Sequence, residues 1–159
     1  MKTFTVVHVV ISLLGIVSGL VVMYGLLASK QLEGWTKFFL ATTVLTSVTG
    51  FFFPFHGVTP AIVVGIISLV VLAVAIFALY KRQLAGAWRK TYVVSALLAL
   101  YFNTFVLVVQ TFQKIPALKE IDPTQSEPPF KLTQLVVLVL FIMLGILAAI
   151  KFRDAPVLT

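Results

Sequence analysis

Apolar positions along the 159 residues do not alternate with polar ones; they gather in five long runs. The runs are Phe4 to Ala28, Phe38 to Phe55, Pro60 to Tyr80, Thr91 to Phe112 and Leu132 to Ile150. Each is close to the span of about 17 to 25 residues that carries a helix across a hydrocarbon layer of about 30 Å. None of the five contains Asp, Glu, Lys or Arg. A transmembrane barrel would instead show segments of about ten residues with alternating polarity. The pattern predicts an all-α fold, an integral membrane five-helix transmembrane bundle formed as a single domain over 1–159, with an outer loop at 113–131. Pro54, Gly57 and Pro60 make 51–60 the weakest division, and a four-span chain with a re-entrant element there is the competing arrangement.

Within the runs, small and polar residues fall on helical stripes. His8, Ser12, Gly15, Gly19 and Met23 are spaced three or four apart and share one face of the first helix. Gly15 and Gly19 form a GxxxG pair, which lets a second helix approach closely where lipid supplies no hydrophobic drive. The second helix carries Thr42, Thr43, Thr46, Ser47, Thr49 and Gly50 and is expected at the centre of the bundle. The fourth aligns Tyr92, Ala96, Ala99, Asn103, Gln110 and Gln113. Amides in hydrocarbon need partners, because an unsatisfied one costs several kcal/mol, so Asn103 and Gln110 must face protein or water. Gly65, Ser68, Leu72 and Ala75 mark the third helix, and Gln134, Phe141, Gly145 and Ala148 the fifth. Thr46, Asn103 and Gln110 are the candidates for lining a polar cavity.

Composition adds a membrane assignment that does not depend on segment boundaries. Hydrophobic residues make up 60% and charged ones 11%, at a mean hydropathy of +1.12, leaving too little charge to cover a water-facing surface. The net charge of +7 comes from 12 Lys and Arg against 5 Asp and Glu, all placed outside the runs, so it reads as membrane topology and not as a nucleic-acid surface. Lys30, Lys37, Lys81, Arg82, Arg89, Lys90, Lys151 and Arg153 fall on one side, and Lys2, Lys114, Lys119 and Lys131 on the other. Eight against four predicts the N-terminus outside and the C-terminus inside. The first run is too long for a signal-peptide core and is read as a retained helix.

Aromatic residues mark the same boundaries. Trp35 and Trp88 lie in the inner loops, Tyr80 and Tyr92 flank the second of these, and Phe51, Phe52, Phe53 and Phe55 crowd the outer end of helix two. The connection from Gln113 to Lys131 holds four prolines and the acids Glu120, Asp122 and Glu127, which predicts an ordered or semi-extended outer loop.

Candidate chemistry is sparse. With no cysteine there are no disulfides, thiolate metal sites or thiol catalysis. No span carries the charged residue that ion-coupled pumping usually needs. Asp122 and Asp154 lie on opposite sides, so they do not form an intramembrane aspartyl pair, and no nucleophile elbow, phosphate loop or zinc motif occurs. The two histidines, His8 and His56, both sit near the outer leaflet. Imidazole ligates haem iron, copper and zinc, so a pair at one depth is the candidate clamp for haem b or a metal ion.

The segments Thr49-Gly-Phe-Phe-Phe-Pro-Phe-His-Gly57 and Pro123-Thr-Gln-Ser-Glu-Pro-Pro-Phe130 resemble parts of small multi-pass proteins of rhizobia and related alphaproteobacteria, a similarity that runs over most of the chain. The resemblance implies a bacterial inner (plasma) membrane and carries no activity, cofactor or site. From the residues, the leading expectation is a non-enzymatic protein acting through helix contacts, as an accessory subunit of a membrane-protein partner or by self-association. The alternatives are a bis-histidine haem- or metal-binding protein using His8 and His56, with Gln110 or Gln113 nearby, and a passive channel or carrier for a neutral solute.

Overall fold

A computed structural model describes residues 2–53, 57, 60–124 and 127–152. The described chain is helical: α1 (Lys2–Leu27), α2 (Glu33–Gly50), α3 (Pro60–Ile76), α4 (Trp88–Lys114), the short α5 (Pro116–Ile121) and α6 (Pro128–Lys151). A π-helical turn, Phe77–Lys81, prolongs α3. Four stretches, Thr3–Leu27, Ile62–Lys81, Trp88–Lys114 and Pro128–Lys151, are long and apolar enough to cross a membrane. The protein is a membrane protein built as a helical bundle. α2 falls outside that set because Glu33, Lys37 and its run of hydroxyls dilute its apolar character.

Helices α1, α2, α3 and α4 form a ring in which each contacts the next and α4 closes on α1, while α6 lies outside against α4 and α1. The α1–α4 seam exists because glycine leaves room for it. A Cβ on Gly19 would lie 2.5 Å from Leu100 Cδ1 and 2.8 Å from Phe39 Cε1. On Gly15 it would lie 3.3 Å from Asn103 Nδ2 and from the hydroxyls of Thr42 and Thr43. The GxxxG face of α1 is therefore occupied inside the chain by α2 and α4.

Packing is uneven along the axis. Toward the end that carries the α1–α2 and α3–α4 links, Met23, Leu26, Phe39, Leu72, Ala75, Leu79, Val93 and Ala96 are all buried. Tyr92 is buried with them at 1% exposure, its hydroxyl bonded to the Thr36 side chain. That differs from the interfacial role expected of Tyr92; as a tyrosine in the first turns of α4 it turns inward, and Thr36 supplies the partner that a buried hydroxyl needs. Trp88, at the start of α4, has Arg82 over its ring at 5.2 Å and Phe77 edge-on at 5.3 Å.

Two boundaries move from their sequence positions. α2 begins at Glu33 and ends at Gly50, against the expected 38–55. Pro54 disfavours helical backbone at the residue before it, so the helix stops short of the phenylalanine cluster. Between α4 and α6 lie α5 and Asp122, whose carboxylate accepts the backbone N–H of Phe130 at 2.7 Å and of Glu127 at 3.2 Å. Asp122 is fully buried and caps α6 from outside the helix, opposite the partial positive charge of its N-terminus. On α6, Gln134 donates to the Phe105 carbonyl at 3.3 Å, Phe141 meets Tyr101 with ring centroids 5.5 Å apart, and Ala148 is buried. The stripe on this last helix thus faces α4, and the rest of α6 is open to the surroundings.

Candidate functional site

The tight packing gives way in the other half of the bundle, toward the start of α1. There α1, α2, α3 and α4 enclose a cavity of about 560 Å³. Its lining brings together His8 and Ser12 of α1, Thr43 and Thr46 of α2, Ser68 of α3, and Asn103 and Gln110 of α4. Of the sequence candidates, His8, Thr46, Asn103 and Gln110 therefore share one site. His56 lies outside the described residues. Gln113 is exposed and does not line the cavity. Gly15 and Gly19 lie further along α1, in the packed seam beyond it.

Helical spacing places each of these side chains. His8 and Ser12 are one turn apart on α1, and Asn103 and Gln110 two turns apart on α4. Gly15 allows the two helices to approach, so that Asn103 Nδ2 donates to the Ser12 carbonyl at 3.3 Å. That bond fixes the amide at the deep end of the cavity. Gln110, one α4 stripe nearer the mouth, has no hydrogen-bond partner among the described residues.

Three of the six hydroxyls of α2 give their protons to their own helix. Thr42 donates to Phe38, Thr46 to Thr42 and Thr49 to Leu45, at 2.7 to 2.8 Å. This back-bonding satisfies them in a low-dielectric setting and leaves the wall much less polar than its residue names imply. His8 Nδ1 lies 2.7 Å from Thr49 Oγ1, which lies at the same distance from the Leu45 carbonyl; with the hydroxyl proton given to Leu45, Nδ1–H is the donor and Nε2 carries the lone pair. The ring is held further by Phe53, edge-on with centroids 5.0 Å apart. Thr43 Oγ1 differs: it is buried, and no described residue partners it.

The site has features that sequence reading missed. Lys114 lines the mouth, although in sequence it counted only as a topology charge. Its position four residues beyond Gln110 on the same stripe was the available signal. Phe51 covers the side toward α3, resting where Gly65 lacks a side chain; a Cβ there would lie 2.9 Å from the tip of its ring. Such a Gly65–Phe51 contact joins two helices and leaves no trace in periodicity.

What the cavity can do chemically follows from its donor set. Its described lining offers amides, one imidazole, hydroxyls of which those of Ser12, Thr46 and Thr111 are bonded to their own helices, and one ammonium at the rim, within the ~300 to 1,000 Å³ typical of small-molecule sites. Among the described residues no three His, Cys, Asp or Glu side chains converge as metal ligands. There is also no carboxylate on the lining to act as a general base. No protein-family model, curated protein or solved structure matches the chain, so the functional reading rests on these residues.

Proposed function

We propose that this is a multi-pass protein of a bacterial inner membrane that binds a small, largely apolar molecule between α1, α2, α3 and α4, as a carrier or receptor and not as an enzyme. The observation that carries the reading is the 560 Å³ cavity that collects His8, Thr46, Asn103 and Gln110 from three helices. Binding is favoured over a continuous channel because the cavity ends blind: beyond Asn103 the axis is filled by Phe39, Leu100 and Tyr92, each at most 1% exposed. It is also favoured over a self-associating scaffold, since the small-residue face of α1 that motivated the scaffold is already filled by Phe39 and Leu100.

The reading takes α2 as a fifth crossing. Its 18 residues span about 27 Å, close to the hydrocarbon thickness, and its hydroxyls are shielded by neighbouring helices and by back-bonding. With five crossings, the Lys and Arg asymmetry puts the N-terminus and the cavity mouth outside and the C-terminus inside. The cysteine-free chain gives a clean test of topology. Lys119→Cys is expected to react with a membrane-impermeant maleimide in intact cells, and Gly34→Cys only after permeabilisation. Labelling of both in intact cells overturns the fifth crossing.

For the binding reading, the test is Val106→Trp, which places an indole in the cavity from its lining on α4. Organic extracts of purified wild type should contain a stoichiometric small molecule that the folded variant lacks. Identical extracts from the two proteins overturn the proposal.

A further inference from the structure

Among the described residues, the cavity's mouth carries one charge and its body none. Lys114 is the charged side chain among the described lining residues. No described carboxylate lies within the 4.0 Å of an ion pair with it, whereas Lys37 has Glu33 at 3.3 Å. The nearby acids are engaged elsewhere. Asp122 holds the backbone of α6, and Glu127 accepts the Thr124 hydroxyl at 2.9 Å. An ammonium beside an apolar cavity therefore offers its charge to whatever enters.

Shape narrows the occupant further. The lining runs along α4 from Ala99 to Lys114, about 22 Å of helix. A sphere of the cavity's 560 Å³ would be only about 10 Å across, so the space is a slot and not a globe. Its walls below Lys114 include Leu13, Val106 and Leu107, with Thr46, whose proton goes to the Thr42 carbonyl of its own helix, and Thr43, whose hydroxyl no described residue partners. A long apolar slot with one uncompensated cation at its open end matches a single-chain amphiphile with an anionic head.

We infer that the ligand is a long-chain carboxylate of the fatty-acid type, its head held by Lys114 Nζ and its chain lying along α4 toward Asn103. The inference rests on the cavity being a binding site, as proposed above. Gln110, one turn below Lys114 and without a partner of its own among the described residues, supplies a second donor to the carboxylate. Lys114 thereby serves as the specificity-determining residue. At the last turn of α4 it also offsets the helix dipole, a role indifferent to any ligand.

The test compares palmitate with methyl palmitate, titrated calorimetrically into the full chain in nanodiscs of zwitterionic lipid, with empty discs subtracted. Hydrogen bonds to charged groups predict that wild type prefers the carboxylate by about tenfold or more. Lys114→Gln should bring the two affinities within about twofold while leaving the ester unchanged, and Lys114→Arg should restore the preference. Val106→Trp should abolish binding of both. Equal affinity of acid and ester for wild type overturns the ligand class but not the cavity, whose own test is the extract lost in Val106→Trp. A preference that survives Val106→Trp places the carboxylate on the surface and overturns the inference. So does displacement of palmitate on moving to discs containing phosphatidylglycerol, which would assign the slot to a two-chain lipid.

Discussion

Replacing Gly19 by alanine adds one methyl group at the tightest point of the bundle, and its cost can be worked from the geometry. The new Cβ would sit 2.5 Å from Leu100 Cδ1 and 2.8 Å from Phe39 Cε1, against an optimal carbon–carbon separation of about 3.5 to 4.0 Å. Leu100 is fully buried and Phe39 is 1% exposed, so neither has free space to yield. Overpacking of this kind costs about 1 to 3 kcal/mol, while alanine regains about 1 kcal/mol of helix propensity over glycine. Gly145→Ala isolates the two effects. Its Cβ would meet Leu97 Cδ1 at 3.9 Å, an ordinary contact, so it receives the propensity gain without the clash. The two variants should therefore differ by about 1 to 3 kcal/mol, Gly145→Ala being the more stable. Reversible unfolding in mixed micelles by circular dichroism measures the difference, with size-exclusion chromatography alongside. Equal stability would refute the packing argument. Loss of a dimer by Gly19→Ala with unchanged unfolding would show that the GxxxG face serves association between chains.

Two further predictions address the ends of the site. Asp122→Ala removes the charged cap of α6 and should destabilise its first turn by about 1 to 2 kcal/mol, with Asp122→Asn intermediate. Faster amide exchange from Phe130 to Thr133 reports this, and unchanged protection would show that the Asp122 bonds do not hold that turn. At the other end, side-chain nitrogen NMR should find His8 in the Nδ1–H form at a pH where the ring is neutral, and Thr49→Val should release it to a mixture of tautomers. An Nε2–H ring in wild type would reverse the direction of the His8–Thr49 bond and withdraw Nε2 as an acceptor.

Much of the candidate site was legible because helical periodicity is a local property. The spacing of His8 and Ser12, and of Asn103 and Gln110, fixes which residues share a face whatever the neighbouring helices do. That amides in a membrane must face protein or water then selects Asn103 and Gln110. Lys114 escaped because a lysine at a helix end satisfies topology and dipole arguments equally well, and neither asks which space it borders. Tyr92 carried two expectations, an interfacial belt from its position near a loop and the stripe it shares with Ala96 and Ala99; its burial against Thr36 of another helix decides for the stripe.

The sequence by itself determined that the chain is a helical membrane protein, where most of its long helices run, and which stripes carry glycine, hydroxyl and amide. Those follow from hydrocarbon thickness, the price of an unsatisfied backbone and the 3.6-residue repeat, all of them local quantities. Tertiary structure decided what the stripes meet. It set the glycines of α1 against Leu100 and Phe39, bonded Thr42, Thr46 and Thr49 of α2 to their own helix's carbonyls, and opened one half of the bundle while closing the other. Whether a polar stripe lines a seam or a cavity depends on the distance between helices. That distance is fixed jointly by side chains far apart in sequence, such as Gly15 with Asn103 and Gly65 with Phe51.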